Sequence, residues 1–256
     1  MLTAYDATIA RLVDEAGIDA ILVGDSLGMV MLGYSGTAPV TMDEMIHHAK
    51  AVGRTAKRAL LVGDLPFMAY QADPAEAIRN AGRHIKEAGM DCVKLEGTVK
   101  QAPIARAIVD AGIAVIGHIG LTPQTAASLG GVAVQGESAE AARRILDDAL
   151  AMEAAGCWAV LMEAVPAPLA GMITQRLRIP TIGIGAGPDC DGQVLITHEL
   201  TGLFPGFGLS WGRRYADAGA LIGQAIRQYA ADVHDKTFPA PENSFPMDES
   251  ILRELE

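Results

Sequence analysis

Ala20-Ile21-Leu22-Val23-Gly24-Asp25 recurs further along the chain as Ala59-Leu60-Leu61-Val62-Gly63-Asp64. In each copy a short apolar run stops at Gly-Asp. A run that is apolar at every position, rather than at alternate ones, fits a strand covered on both faces, as in a parallel sheet flanked by helices. Working outward, comparable runs stand at about residues 1–4, 91–95, 113–117, 158–162, 180–183 and 193–197, which with 20–23 and 59–62 make eight. Amphipathic stretches alternate with them at about 7–16, 43–55, 74–88, 101–111, 139–155 and 167–177, and a longer one follows at about 215–233. This alternation implies βαβ units, and eight strands predict an α/β chain folded as a (β/α)8 TIM barrel. The length of 256 residues suits one such barrel, which typically needs about 250.

Several boundaries have local causes. Thr41-Met42-Asp43-Glu44 is a capping-box pattern, in which Thr41 and Glu44 satisfy each other's free N–H groups. Asp73-Pro74 sets a capping side chain before a proline suited to the first helical position. Gly17, Gly89, Gly112 and Gly156 each follow a helical stretch, where a left-handed cap belongs. The barrel is expected over 1–235 as a single domain, with 236–256 forming an extended tail and a short helix near 247–255. Phe238 and Phe245 in that tail would be costly to leave in water and are expected to dock on the barrel or on a neighbouring subunit. The chain begins almost inside its first strand, so an upstream segment closing the barrel floor is expected.

The palette narrows the function classes. Half the residues are hydrophobic but only 5% are aromatic, so the core is built from the aliphatic residues that buried parallel strands use. The formal net charge of −11, with no basic stripe, excludes a nucleic-acid binder. Cys92, Cys157 and Cys190 are odd in number and far apart, which argues against a disulfide framework or a zinc site and for a reducing cytoplasm. Residues 1–6 lack the basic start of a signal peptide, and no apolar stretch of about 18 residues is present to span a membrane. Gly183-Ile184-Gly185-Ala186-Gly187 lacks the GxGxxG spacing of a dinucleotide site and is read as a tight turn at the barrel mouth.

Five consecutive strands end in ionisable groups: Asp25, Asp64, Lys94 with Glu96, His118, and Glu163. On a parallel barrel those ends converge on one mouth, where barrel enzymes place their chemistry. So many carboxylates in one concavity need a neutraliser, and a hard divalent cation such as Mg²⁺ is the economical one. Asp25 and Asp64 are read as its direct ligands, with Glu96 in the shell through water. Lys94 and Glu96 are two apart, so they share a strand face, and Lys94 becomes a fixed cation for a substrate carboxylate. Glu163 is the candidate general base. Taken singly, each has a plainer reading: the aspartates as turn or cap residues, Lys94–Glu96 as an ion pair, His118 as a structural histidine and Glu163 as a cap.

The same residues carry a resemblance. MLTAYDA (1–7), LVGDSLGMV (22–30), GYSGTAPVTMDEM (33–45), DLPFMAY (64–70), VKLEG (93–97), GHIGLTPQ (117–124), VQG (134–136) and IPTIGIGAGPDCDGQVL (179–195) resemble the ketopantoate hydroxymethyltransferase family over nearly the whole chain. The resemblance implies a barrel of the phosphoenolpyruvate/pyruvate type, usually a homodecamer. It implies 3-methyl-2-oxobutanoate as substrate, 5,10-methylenetetrahydrofolate as one-carbon donor and 2-dehydropantoate as product, on the route to pantothenate. It also implies Asp25, Asp64 and Glu96 as Mg²⁺ residues, Asp25, Ser26, Asp64 and Lys94 as oxo-acid contacts, and Glu163 as proton acceptor; His118, at the same mouth, is read as a further substrate contact from its place in the sequence alone. The chain departs from the family at Val132-Ala133, where a tyrosine and a lysine are usual, and over Leu209 to Tyr215. The first change removes a ring and a cation from the loop after the His118 strand.

Overall fold

A computed structural model describes residues 1–204 and 211–255; Leu209 and Ser210 of the second divergent stretch lie outside them. Eight strands form one parallel sheet in chain order: β1 (Leu2–Thr3), β2 (Ala20–Val23), β3 (Leu60–Asp64), β4 (Cys92–Glu96), β5 (Ala114–Gly120), β6 (Ala159–Glu163), β7 (Thr181–Ile184) and β8 (Gly192–Gln193). The sheet closes on itself. Leu2 bridges Leu195, and the Thr3 N–H donates to the Leu195 carbonyl at 3.2 Å. The helices are α1 (Ala7–Glu15), α2 (Leu27–Val30), α3 (Met42–Thr55), α4 (Pro74–Ala88), α5 (Ala102–Asp110), α6 (Ala139–Ala154), α7 (Ala167–Arg176), α8 (Thr197–Leu200), α9 (Ala218–His234) and α10 (Glu249–Arg253).

The expected caps form. Thr41 accepts from the Glu44 N–H while the Glu44 carboxylate takes the Thr41 N–H, a complete capping box at the start of α3. Asp73 accepts the N–H groups of Ala75 and Glu76 ahead of Pro74. Gly89 ends α4 at φ 69°, a conformation open to glycine at little cost.

Strand parity sorts the side chains. Leu22, Val62, Cys92, Ile116, Ala159, Leu161, Ile182 and Val194 pack together inside the barrel. Their neighbours Ile21, Val23 and Leu61 on one flank, and Val93, Leu95, Val115 and Val160 on the other, face the helices. Gly63 is on the outward parity because the His84 ring of α4 occupies the space a Cβ would need.

Two details depart from expectation. The last strand is shorter than 193–197: β8 holds two residues, and Thr197 opens α8 because Thr3 Oγ1 accepts its N–H at 3.1 Å. The long helix starts at Ala218 rather than 215, where Asp217 caps it through the Ala220 N–H. Of the two tail phenylalanines, Phe238 docks on its own chain as expected, and Phe245 does not touch it. Phe238 packs against Tyr229 of α9, with ring centroids 5.6 Å apart, and Phe245 is fully exposed. α9 itself has no buried residue.

Candidate active site

The alternation that packs the strands also aims the site. Asp64, Lys94, Glu96, His118 and Glu163 continue the inward parity of β3, β4, β5 and β6 at their carboxyl ends. With Asp25 and Ser26, just past β2, they line one cavity of about 270 Å³. All seven sequence-predicted site residues therefore meet in one place.

Sheet register sets the neighbours. Asp64 lies beside Lys94, and Glu96 beside His118. Lys94 Nζ stands 2.7 Å from Asp64 Oδ1, so its ion-pair partner is Asp64 and not Glu96. Asp64 Oδ2 accepts the backbone N–H of Asp25 at 3.0 Å, which draws the end of β2 toward β3. The His118 ring bridges the rest: Nδ1 is 3.4 Å from Lys94 Nζ and 3.5 Å from Glu96 Oε1, and Nε2 is 3.3 Å from Glu163 Oε2. Nδ1 thus stands between a cation and a carboxylate, and Nε2, buried without a hydrogen bond among the described residues, faces Glu163. The Ser26 hydroxyl is 2.7 Å from the buried phenol of Tyr5.

Burial dominates the electrostatics. It pushes the Glu163 carboxyl up to about 7, with Lys94 pulling the other way. It raises Asp64 to about 7, against Lys94 and with a push from Asp25, and carries Glu96 well above the usual carboxylate range. Burial and then Lys94 hold His118 well below the ordinary imidazole value, so the ring is neutral at pH 7. Burial opposes the Lys94 ammonium, but Asp64, Glu96 and Asp25 outweigh it and keep it charged. A carboxyl group poised near neutrality and a fixed cation thus share one buried wall.

The acidic groups suit a hard cation. Among the described residues no three His, Cys, Asp or Glu side chains converge tightly enough to enclose an ion by themselves. Mg²⁺ does not require that, since it takes one or two carboxylates and completes its shell with water and substrate oxygens. Asp25, Asp64 and Glu96 are all buried on the cavity wall with Lys94 as the nearby charged counterpart. Asp64 Oδ1 is buried with the Lys94 ammonium as its one ion-pair partner among the described residues. That donor set fits a divalent cation held by two carboxylates and water.

Gln124 and Tyr70 were missed by the sequence reading. Both are buried, and they hydrogen-bond to each other at 2.8 Å. The Gln124 amide donates to Asp25 Oδ2 at 2.9 Å. Both lie in quoted motifs, GHIGLTPQ and DLPFMAY, but uncharged side chains in loops leave no periodic or charge pattern to read. Val132 of the divergent loop also lines the cavity.

A family model described as ketopantoate hydroxymethyltransferase matches residues 1–241. The 3-methyl-2-oxobutanoate hydroxymethyltransferase of Heliobacterium modesticaldum is 55% identical over 251 residues, covering 98% of this chain and 91% of that protein. The protein of the same name from Chloroflexus aggregans is 54% identical over 252 residues, covering 98% and 90%. Among solved structures, a phosphonopyruvate hydrolase superposes with a TM-score of 0.62 at 13% identity, over 98% of this chain and 88% of that one. A 2,3-dimethylmalate lyase, a member of the PEP mutase/isocitrate lyase superfamily, superposes with a TM-score of 0.59 at 15% identity, over 99% and 92%. At such identities the structural likeness is one of barrel fold alone, whereas the matched model and the half-identical relatives cover nearly the whole chain: it belongs to the ketopantoate hydroxymethyltransferase family.

Proposed function

We propose that this chain transfers a hydroxymethyl group from 5,10-methylenetetrahydrofolate to 3-methyl-2-oxobutanoate, giving 2-dehydropantoate for pantothenate biosynthesis, in the cytoplasm and as a homo-oligomer. The observation that carries this reading is the convergence of the five strand-end groups on one buried cavity. In the proposed assignment Asp25 and Asp64 bind Mg²⁺ directly and Glu96 completes its shell through water. Bound there, Mg²⁺ supplies the positive charge that acidifies the C3–H of a chelated oxo acid.

The chain's own residues do the rest. Lys94, fixed against Asp64, offers its ammonium to the substrate carboxylate. Asp25, Ser26, Asp64 and His118 complete the oxo-acid contacts. Glu163 takes the C3 proton, and its position in a buried wall keeps it basic enough to do so near neutral pH. The neutral His118 ring, 3.3 Å away, faces the carboxyl group that receives the proton. The resulting carbon nucleophile forms the new C–C bond to the methylene carbon, both bonds from that carbon to the folate nitrogens break, and water supplies the hydroxyl. Folate leaves as tetrahydrofolate. The loop from Leu27 to Thr41, several of whose residues line the cavity, is positioned to act as a lid.

The test is product formation in vitro. With both substrates, 2-dehydropantoate should appear, cease after EDTA treatment and return with Mg²⁺. Turnover of the oxo acid with no requirement for the folate would contradict the proposed donor.

A further inference from the structure

We infer that Gln124 is a positioning residue for the acid pair Asp25 and Glu96, and that the Tyr70 phenol sets its orientation. The inference rests on the reading above, in which those carboxylates hold Mg²⁺. Gln124 lies in the 3-10 segment after β5 and is 5% exposed. Its backbone N–H donates to Glu96 Oε2 at 3.0 Å. Its side-chain Nε2 donates to Asp25 Oδ2 and to the Leu65 carbonyl, both at 2.9 Å. One residue thus grips a carboxylate oxygen on each of two strand ends and is anchored to a third through Leu65.

Chemistry fixes which way the amide points. The Leu65 carbonyl can only accept, so the atom facing it must be the NH₂ group. Gln124 Oε1 then faces the Tyr70 hydroxyl at 2.8 Å. That hydroxyl is held at the Glu96 backbone, whose N–H donates to it at 3.2 Å, and its single hydrogen is shared between Gln124 Oε1 and the Glu96 carbonyl, both 2.8 Å away. Gln124 thereby holds Asp25 Oδ2 and Glu96 Oε2, one oxygen of each carboxylate, while Glu96 Oε1 lies 3.5 Å from His118 Nδ1. Groups that orient metal-binding carboxylates in this way commonly change metal affinity about 10- to 100-fold when removed.

The experiment measures Mn²⁺ affinity of the metal-free protein by the EPR signal of free Mn²⁺. It compares wild type, Gln124→Leu and Tyr70→Phe, with melting temperatures taken in EDTA. Gln124→Leu keeps the backbone N–H on Glu96 and removes the grip on Asp25. It should weaken Mn²⁺ binding about 10- to 100-fold. Tyr70→Phe keeps the buried ring and should weaken binding in the same direction, so it decides the matter if Gln124→Leu does not fold. Variants that melt earlier in EDTA but bind Mn²⁺ as wild type does would make both residues structural and overturn the inference. A wild-type protein that binds no Mn²⁺ would overturn the metal assignment itself, and this inference with it.

Discussion

At the residue scale the decisive group is Glu163. Its side chain was legible as the last residue of an apolar run, and a mouth that excludes water implied a raised pKa; the extent of the rise depends on burial that only the fold shows. A base must be unprotonated, so C3 proton exchange should climb about tenfold per pH unit below 7 and level off above it. Glu163→Gln should lower exchange by about 10²- to 10⁴-fold. The same substitution should leave the protein more stable than wild type at pH 8. A carboxyl whose folded pKa lies above its unfolded one stabilises the fold while protonated, and that contribution is lost as pH rises through about 7. Glutamine cannot lose it, so thermal denaturation should show a gain on the order of 1–3 kcal/mol at pH 8 that shrinks toward pH 4. Lys94 has the opposite character. Lys94→Met strands the buried Asp64 carboxylate and should cost about 3–5 kcal/mol in urea denaturation at neutral pH.

At the element scale, periodicity and capping chemistry made most of the barrel legible. β2 to β7 and α1 to α7 fall within a few residues of their expected bounds, apart from the short α2. What was not legible depended on distant partners. The end of β8 is set by Thr3, far away in sequence, and the loop-borne Gln124 and Tyr70 become meaningful only once β3, β4 and β5 stand side by side. Capping gives an element-scale prediction. The Thr41–Glu44 box starts α3, and Tyr34 of the loop before it donates its hydroxyl to the same Glu44 carboxylate at 2.6 Å. Thr41→Ala should cost about 1 kcal/mol, seen as a fall in melting temperature of about 2–4 °C. No fall would show that the box contributes nothing to the fold.

At the scale of the whole molecule, the barrel closes through β1 and the segment around Leu195, but the long helix α9 buries none of its residues against the described part of its own chain. α9 leaves Leu221, Ile222, Ile226 and Tyr229 exposed, more apolar surface than one chain ordinarily shows to water. The account expects a second copy to cover it. Light scattering should find an oligomer, and Leu221→Asp with Ile226→Asp should shift it to smaller species; an unchanged wild-type monomer would contradict this. The central claim is that the barrel brings carboxylates, a lysine and Glu163 together to take a proton from C3 of a 2-oxo acid. The most direct measurement is hydrogen–deuterium exchange at C3 of 3-methyl-2-oxobutanoate, followed by NMR with and without Mg²⁺ in wild type and Glu163→Gln. The account predicts Mg²⁺-dependent exchange in wild type that is lost in the variant. Exchange that persists in Glu163→Gln, or none in wild type with Mg²⁺ present, would contradict it.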